Sequence, residues 1–243
     1  MSQYRFGRPS FFRSNFPPGL KWLLITNVVV FLIDFLGGEW VHTTLMTLFS
    51  LYFAGAVGTL FVWQIFTYMF LHGGIWHLLF NMLTLWFFGT VLERDWGTRR
   101  FLKYYFYCGI AAGICVLIAN WLTRNDTPTI GASGAIFGVL VAFGVLYPNQ
   151  TVLMNFLFPI KAKYMVMIYA AIELLLTIRP GQSGISTIAH LGGMAFGYVY
   201  LKGRFPRLKL PDWRGAYRQW KLQRAKKKFQ VYMKKHGGGP WVN

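Results

Sequence analysis

The sequence predicts an all-α polytopic membrane protein: a bundle of six transmembrane helices with a long outer loop after the first. Three observations carry this. The 243 residues are 55% hydrophobic and 19% aromatic but only 13% charged, where a soluble domain carries about a quarter charged residues. The apolar residues fall in long blocks instead of being spread evenly, as in helical membrane proteins. Basic residues concentrate at both ends of the chain, which places both ends on the same side of a bilayer.

The blocks are read in order. A span needs about 20 apolar residues, or somewhat fewer inside a bundle. The predicted spans are 20–36, 75–92, 101–122, 132–147, 164–178 and 186–201. The second opens after the break His72-Gly73-Gly74. Pro128 and Pro148 bracket the fourth, and Pro180-Gly181 closes the fifth. The stretch 44–71 is also apolar, but Ser50, Gly55, Gly58, Thr59 and Gln64 interrupt it, while Trp63 and Tyr68 suit an interface. It is read as a long outer loop lying partly in the interface. An even number of spans follows from two basic termini on one side.

The loops agree with six. Arg94, Arg99, Arg100 and Lys103 follow the second span, and Lys161 and Lys163 precede the fifth. Positive residues mark cytoplasmic loops, so the second, fourth and sixth spans run from outside to inside. The expected organisation is a basic cytoplasmic arm at 1–19, a membrane domain at 20–201, and a basic tail at 202–243. Arg5, Arg8 and Arg13 precede Lys21 and an apolar stretch with no small-residue cleavage site, so no cleavable signal is expected. A bacterial inner membrane with cytoplasmic termini is the expected location.

Formal net charge is +18, and 13 of the 25 Lys and Arg residues lie between Lys202 and Lys235, opposed only by Asp212. Such a tail on a membrane core is expected to rest on the anionic cytoplasmic leaflet. Trp213, Tyr217 and Trp220 recur at roughly helical spacing, as in an interfacial helix. The chain carries no nucleic-acid-binding signature, so no nucleic-acid partner is expected. Cys108 and Cys115 sit inside an apolar helix and are read as core residues.

Polar residues inside spans are costly and usually have a task. His77, Asn81, Ser133 and His190 each lie near the outer end of an outside-to-inside span, at depths that differ by only about 10 Å. His77 and Asn81 are four apart and share a helix face. Ser133 sits in Gly131-Ala132-Ser133-Gly134, and Gly134 and Gly138 make one smooth face. Ala189, Gly193 and Gly197 make another around His190. Two such faces pack closely, which would bring Ser133 within about 3 Å of His190. The fourth span is short, about 24 Å against a hydrocarbon core of about 30 Å, so Ser133 is expected below the outer surface in a cavity that water reaches. Serine becomes a strong nucleophile when a neighbouring base takes its proton, and His190 is the candidate base. No acidic residue is read as near it, so a Ser-His pair without a third member is expected. Asp34 and Glu173, near the outer ends of their spans, are assigned no chemistry. Attack on a carbonyl creates an oxyanion, for which His77, Asn81 and the Ser133 backbone N–H are candidate donors.

At these residues the sequence resembles the rhomboid family of intramembrane serine proteases. Gly131-Ala132-Ser133-Gly134 is similar to that family's Gly-x-Ser-Gly motif opening its fourth helix. The run from Ala189-His190 through Gly193 to Gly197 is similar to its Ala-His-x-x-Gly-x-x-x-Gly in the sixth. His72, His77 and Asn81 match its His-x-x-x-x-His-x-x-x-Asn, and Glu93, Gly97 and Phe101 its Glu-x-x-x-Gly-x-x-x-Phe. Trp63 to Thr67 also looks familial. Four ordered motifs together are far more specific than one. The resemblance implies a six-helix core and cleavage of transmembrane protein substrates near their outer ends, with no cofactor and no metal. It implies that Ser133 and His190 are catalytic and that His77, Asn81 and the Ser133 backbone hold the oxyanion. His72 is implied as their support, Phe137 as the aromatic packed on the histidine, and the fifth span as the gate. Gly131, Gly134, Gly193 and Gly197 are the supporting glycines. The rival readings are a catalytically inactive relative that binds transmembrane clients, and a transporter. A zinc protease is disfavoured by the lack of His-Glu-x-x-His, and an aspartyl protease by acids too few and misplaced for a pair.

Overall fold

The apolar blocks of the six predicted spans form helix, because in hydrocarbon each backbone N–H must find its acceptor within the segment. The computed structural model describes residues 16–124, 126–154, 157–178, 185–203, 221–227 and 232. Most of the basic N-terminal arm, the Pro180-Gly181 turn and the tail aromatics Trp213, Tyr217 and Trp220 lie outside the described residues. The chain divides into two compact units, Met1–Arg204 and Phe205–Asn243. In the second unit the described residues include a helical run at 221–227 with exposed side chains.

The first unit contains α1 (Pro18–Leu36), α2 (Gly38–Phe49), α3 (Gln64–Thr67), α4 (Ile75–Trp96), α5 (Thr98–Thr123), α6 (Ser133–Leu146), α7 (Ala162–Thr177) and α8 (Ile185–Leu201). Each predicted span falls on one of α1, α4, α5, α6, α7 and α8, with ends that differ by about a turn or less. By length and composition α1, α4 and α5 can cross a membrane, and α6 and α8 are shorter apolar helices. Large apolar side chains such as Trp22, Ile33, Phe80 and Trp121 stand exposed on the outer faces, where hydrocarbon would cover them. The chain is an integral membrane protein by this composition and architecture.

The region read as an outer loop carries more structure than its sequence announced. It begins with α2, set off from α1 by Gly37, and Asp34 Oδ1 lies 2.9 Å from His42 Nδ1 across that corner. It then packs onto the bundle through directed bonds. The backbone N–H groups of Leu51 and Thr129 donate to each other's carbonyls, while Gln64 Nε2 ties the region to itself by donating to the Thr47 carbonyl at 3.1 Å. Tyr68 Oη donates to the Gly109 carbonyl at 2.7 Å from full burial. Asp126 accepts the N–H of Phe53 and of Ala54. The loop between α6 and α7 forms a short antiparallel hairpin, β1 (Thr151–Met154) with β2 (Phe158–Lys161).

A buried carboxylate ties three helices together. Glu93, near the end of α4, accepts the N–H of Gly19 at 2.8 Å and of Leu20 at 2.6 Å, at the start of α1. Thr98 Oγ1, at the start of α5, donates to the same carboxylate at 2.6 Å. The first N–H groups of a helix lack intrahelical acceptors and carry partial positive charge, so Glu93 answers both needs. A Cβ on Gly19 would stand 2.8 Å from Thr98 Cγ2, so the junction requires glycine there.

The centre of the bundle is the contact of α6 with α8, backed by α5. A Cβ on Gly193 would overlap the Gly134 carbonyl oxygen. One on Gly138 would come 2.6 Å from Cys108 Sγ and 3.2 Å from the Gly193 carbonyl oxygen. Contacts advance together along α6 and α8, so the two helices run in the same direction. Tyr104 Oη, fully buried on α5, donates to the Gly138 carbonyl at 2.7 Å.

Gly193→Ala is expected to lower stability by about 1–3 kcal/mol or more, because the atom it strikes is backbone and cannot rotate away. Gly58→Ala, with open space around it, is expected to stay within about 0.5 kcal/mol. Thermal midpoints in detergent measure both. Glu93→Ala leaves two helix-end N–H groups and a hydroxyl without their acceptor, so a loss of about 1–3 kcal/mol or more is expected by the same measurement.

Candidate active site

Three helix ends converge at one level. Gly131 turns the chain into α6 with φ +117°, a value that side-chain-bearing residues rarely adopt. Ala132 is the N-cap and Ser133 the first helical residue. The Ile136 N–H reaches the Ala132 carbonyl at 3.0 Å. The N–H groups of the first turn, Ser133 included, therefore have no acceptor within the helix. On α8 the Ala189, Gly193 and Gly197 face brings the backbone against α6, and this sets His190 opposite Ser133. The His190 Nε2 to Ser133 Oγ distance is 2.7 Å. Phe137, one turn after the serine, stacks on the His190 ring with centroids 4.3 Å apart and planes at 18°. Tyr169 of α7 meets Phe137 edge-on at 6.0 Å.

The far side of His190 corrects the sequence reading. Glu173 Oε2, on α7, lies 3.0 Å from His190 Nδ1. Glu173 is buried at 8% exposure. The distance is that of an ion pair, while the alignment falls short of a hydrogen bond. The histidine has a carboxylate beside it, contrary to the expectation of a Ser-His pair with no acid nearby. Depth was the available signal. Glu173 is four residues from the C-terminal end of α7 and His190 five from the N-terminal start of α8, so both lie about 6–8 Å along their helices. Only the rotation of α7 about its axis, which packing sets, was not readable.

A second group of polar atoms faces the serine from α4. A Cβ on Gly131 would stand 2.8 Å from His77 Nε2 and 3.8 Å from Asn81 Nδ2, so both side chains reach the turn that carries Ser133. The Gly73 N–H points at His77 Nδ1 over 3.4 Å. With Nδ1 accepting, Nε2 carries the proton and faces Gly131 as a donor. The His72 ring stands edge-on to His77 at 5.0 Å. Burial, with His77 beside it, pushes His72 down to about 4, so its ring is neutral at pH 7. Asn81 Nδ2 is buried without a hydrogen-bond partner among the described residues. An amide donor held dry and unpaired costs free energy, and it stands ready for an acceptor that a reaction would create.

A cavity of about 500 Å³ opens beside these groups, lined by Phe80, Asn81, Thr84, Phe137, Leu140 and Tyr169 among others. It lies between α4, α6 and α7 and is mostly apolar. Among the described residues no cluster of three His, Cys, Asp or Glu could hold a metal ion.

Comparison with known proteins agrees with the motifs. The Rhomboid domain model matches residues 59–207. RHOMBOID-like protein 4 of Arabidopsis thaliana is 36% identical over 138 residues, covering 56% of this chain and 32% of that protein. Rhomboid protein 1, mitochondrial, of Saccharomyces cerevisiae is 37% identical over 136 residues, covering 54% and 38%. Rhomboid protease GluP of Bacillus subtilis is 38% identical over 136 residues, covering 56% and 25%. The aligned part spans only a quarter to two fifths of these relatives. The domain match takes in more than half of the present chain, including Ser133, His190 and the α4 polar residues, and on that ground the chain belongs to the rhomboid family.

Proposed function

We propose that this protein is an intramembrane serine endopeptidase that cleaves transmembrane segments of membrane proteins. The observation that carries the reading is the 2.7 Å contact between Ser133 Oγ and His190 Nε2, set within a bundle whose outer faces are apolar. In this reading Ser133 Oγ–H donates to Nε2. As Oγ attacks the scissile carbonyl, His190 takes the proton. The carbonyl oxygen becomes an oxyanion and receives the Ser133 N–H, His77 Nε2–H and Asn81 Nδ2–H. The partial positive charge at the start of α6 adds to that field. His190 then protonates the leaving amine, and the same histidine activates the water that hydrolyses the acyl-enzyme.

The cavity between α4 and α7 supports entry of an unwound substrate segment from the lipid side, past Phe80 and Tyr169, to Ser133. With α7 as the gate, that segment would separate α7 from α4. The basic ends and inner loops support six crossings with both termini cytoplasmic. The basic tail is proposed to rest on anionic lipid.

A fluorophosphonate probe tests the class directly. Labelling of the native protein is expected, with none in Ser133→Ala. Cleavage of a model transmembrane substrate is expected to fall by at least about 10³-fold in Ser133→Ala and in His190→Ala. Binding of transmembrane segments without labelling would identify an inactive relative, and solute flux unaffected by Ser133→Ala a transporter. Asn81→Ala is expected to lower kcat by about 100-fold with KM nearly unchanged, because its donor acts in the transition state. An equal rise in KM with kcat untouched would remove Asn81 from the oxyanion site.

A further inference from the structure

Glu173 is the one acidic residue of α7, nine-tenths buried, and it spends that burial on one partner. Taking a carboxylate out of water costs several kcal/mol unless it is paired, so its place demands an explanation. Its Oε2 lies 3.0 Å from His190 Nδ1. A second ion pair among the described residues is Asp34–His42, in which the histidine is half exposed. The groups shown against His190 come from two other helices: Ser133 and Phe137 from α6, and Glu173 from α7. Of these, Glu173 alone can carry a negative charge.

A second contact joins α7 to α8 one turn away from the carboxylate. Thr177 Oγ1 donates to the Glu173 carbonyl at 2.8 Å and stands 2.6 Å from Thr187 Oγ1 on α8. Thr187 is three residues before His190, so it lies on the neighbouring turn. The threonine pair and the Glu173–His190 pair thus join α7 to α8 at two successive turns.

We propose that Glu173 is a positioning residue for His190, completing a Ser133–His190–Glu173 relay that spans three helices; this rests on the serine-protease reading above. A neutral imidazole that accepts from Ser133 at Nε2 must carry its proton on Nδ1. The carboxylate faces that Nδ1, favours the required tautomer, and stabilises the imidazolium formed when the Ser133 proton arrives at Nε2. The proton stays on the histidine until the leaving amine takes it, and none passes to Glu173. The pair is 3.0 Å apart with imperfect alignment, a geometry that tightens in a reacting complex. Because the carboxylate belongs to α7, the relay is complete only while α7 is docked on α8.

The test compares labelling by a small fluorophosphonate in native protein, Glu173→Ala, Glu173→Gln and Thr177→Val, with thermal midpoints measured for each. The small probe reports acylation without needing a transmembrane segment to pass α7. Glu173→Ala is expected to label about 10–100-fold more slowly, with a matching fall in kcat and little change in KM. Glu173→Gln keeps the size and an acceptor and is expected to fall between the two. Thr177→Val breaks the neighbouring α7–α8 link and is expected to label at close to the native rate. In parallel, ¹⁵N NMR of the histidines, with His190 assigned by His190→Ala, is expected to show the Nδ1–H form in native protein and a mixture in Glu173→Ala. A role as a mere latch predicts the opposite pattern: unchanged or faster labelling in Glu173→Ala, faster substrate cleavage, and the native tautomer retained. That pattern would overturn the relay while leaving the protease intact. Absence of labelling in the native protein would overturn the protease reading itself, and the relay with it.

Discussion

The structure depends on one contact, the direct approach of the α6 and α8 backbones. Gly193 faces the Gly134 carbonyl with no room for a methyl group, and Gly138 faces Gly193 and Cys108 in the same way. Lipid tails are as apolar as leucine, so helices in a bilayer gain little from burying apolar side chains against each other. Close backbone packing and directed polar contacts must hold them instead. The distance from Ser133 to His190 follows from this approach. A bulkier face on either helix would hold hydroxyl and imidazole apart.

Around that contact the polar groups sort into those that are satisfied and those that wait. Glu93 has three donors drawn from two helices, and Tyr68 and Tyr104 each donate to a backbone carbonyl on another segment. These bonds are complete, which suits parts that must not move. Asn81 Nδ2 is buried beside the Gly131 turn that carries Ser133 and lacks a partner there. Leaving donors dry and unpaired is destabilising. It becomes intelligible where charge appears only during a reaction, since donors already in place need no reorganisation at that moment.

Glu173 sits between these classes. Its carboxylate is buried like that of Glu93, yet its partner is a single imidazole nitrogen held on another helix. The sequence reading passed over it because a lone acid near a span end resembles Asp34. Asp34 does reach only a half-exposed histidine one corner away. The two acids differ in surroundings and not in sequence position. The outer loop shows the same limit. Its interruptions marked it as no ordinary span, but α2 and the ties from Gln64, Tyr68 and Asp126 depend on partners distant in the chain.

The sequence by itself determined the helices, their apolar character and the level of the chemical groups along them. Those features are local: a run of apolar residues in lipid must form helix, and position along it sets depth at a fixed rise per residue. The glycines beside Ser133 and His190 likewise announced a close approach between two helices. Tertiary structure alone decided how each helix is turned about its axis, and therefore which neighbour a side chain meets. That is why the carboxylate of Glu173 facing His190 and the cavity between α4 and α7 became visible only in the folded chain. Rotation about a helix axis is set by packing against segments far away in sequence, and no short stretch of residues contains it.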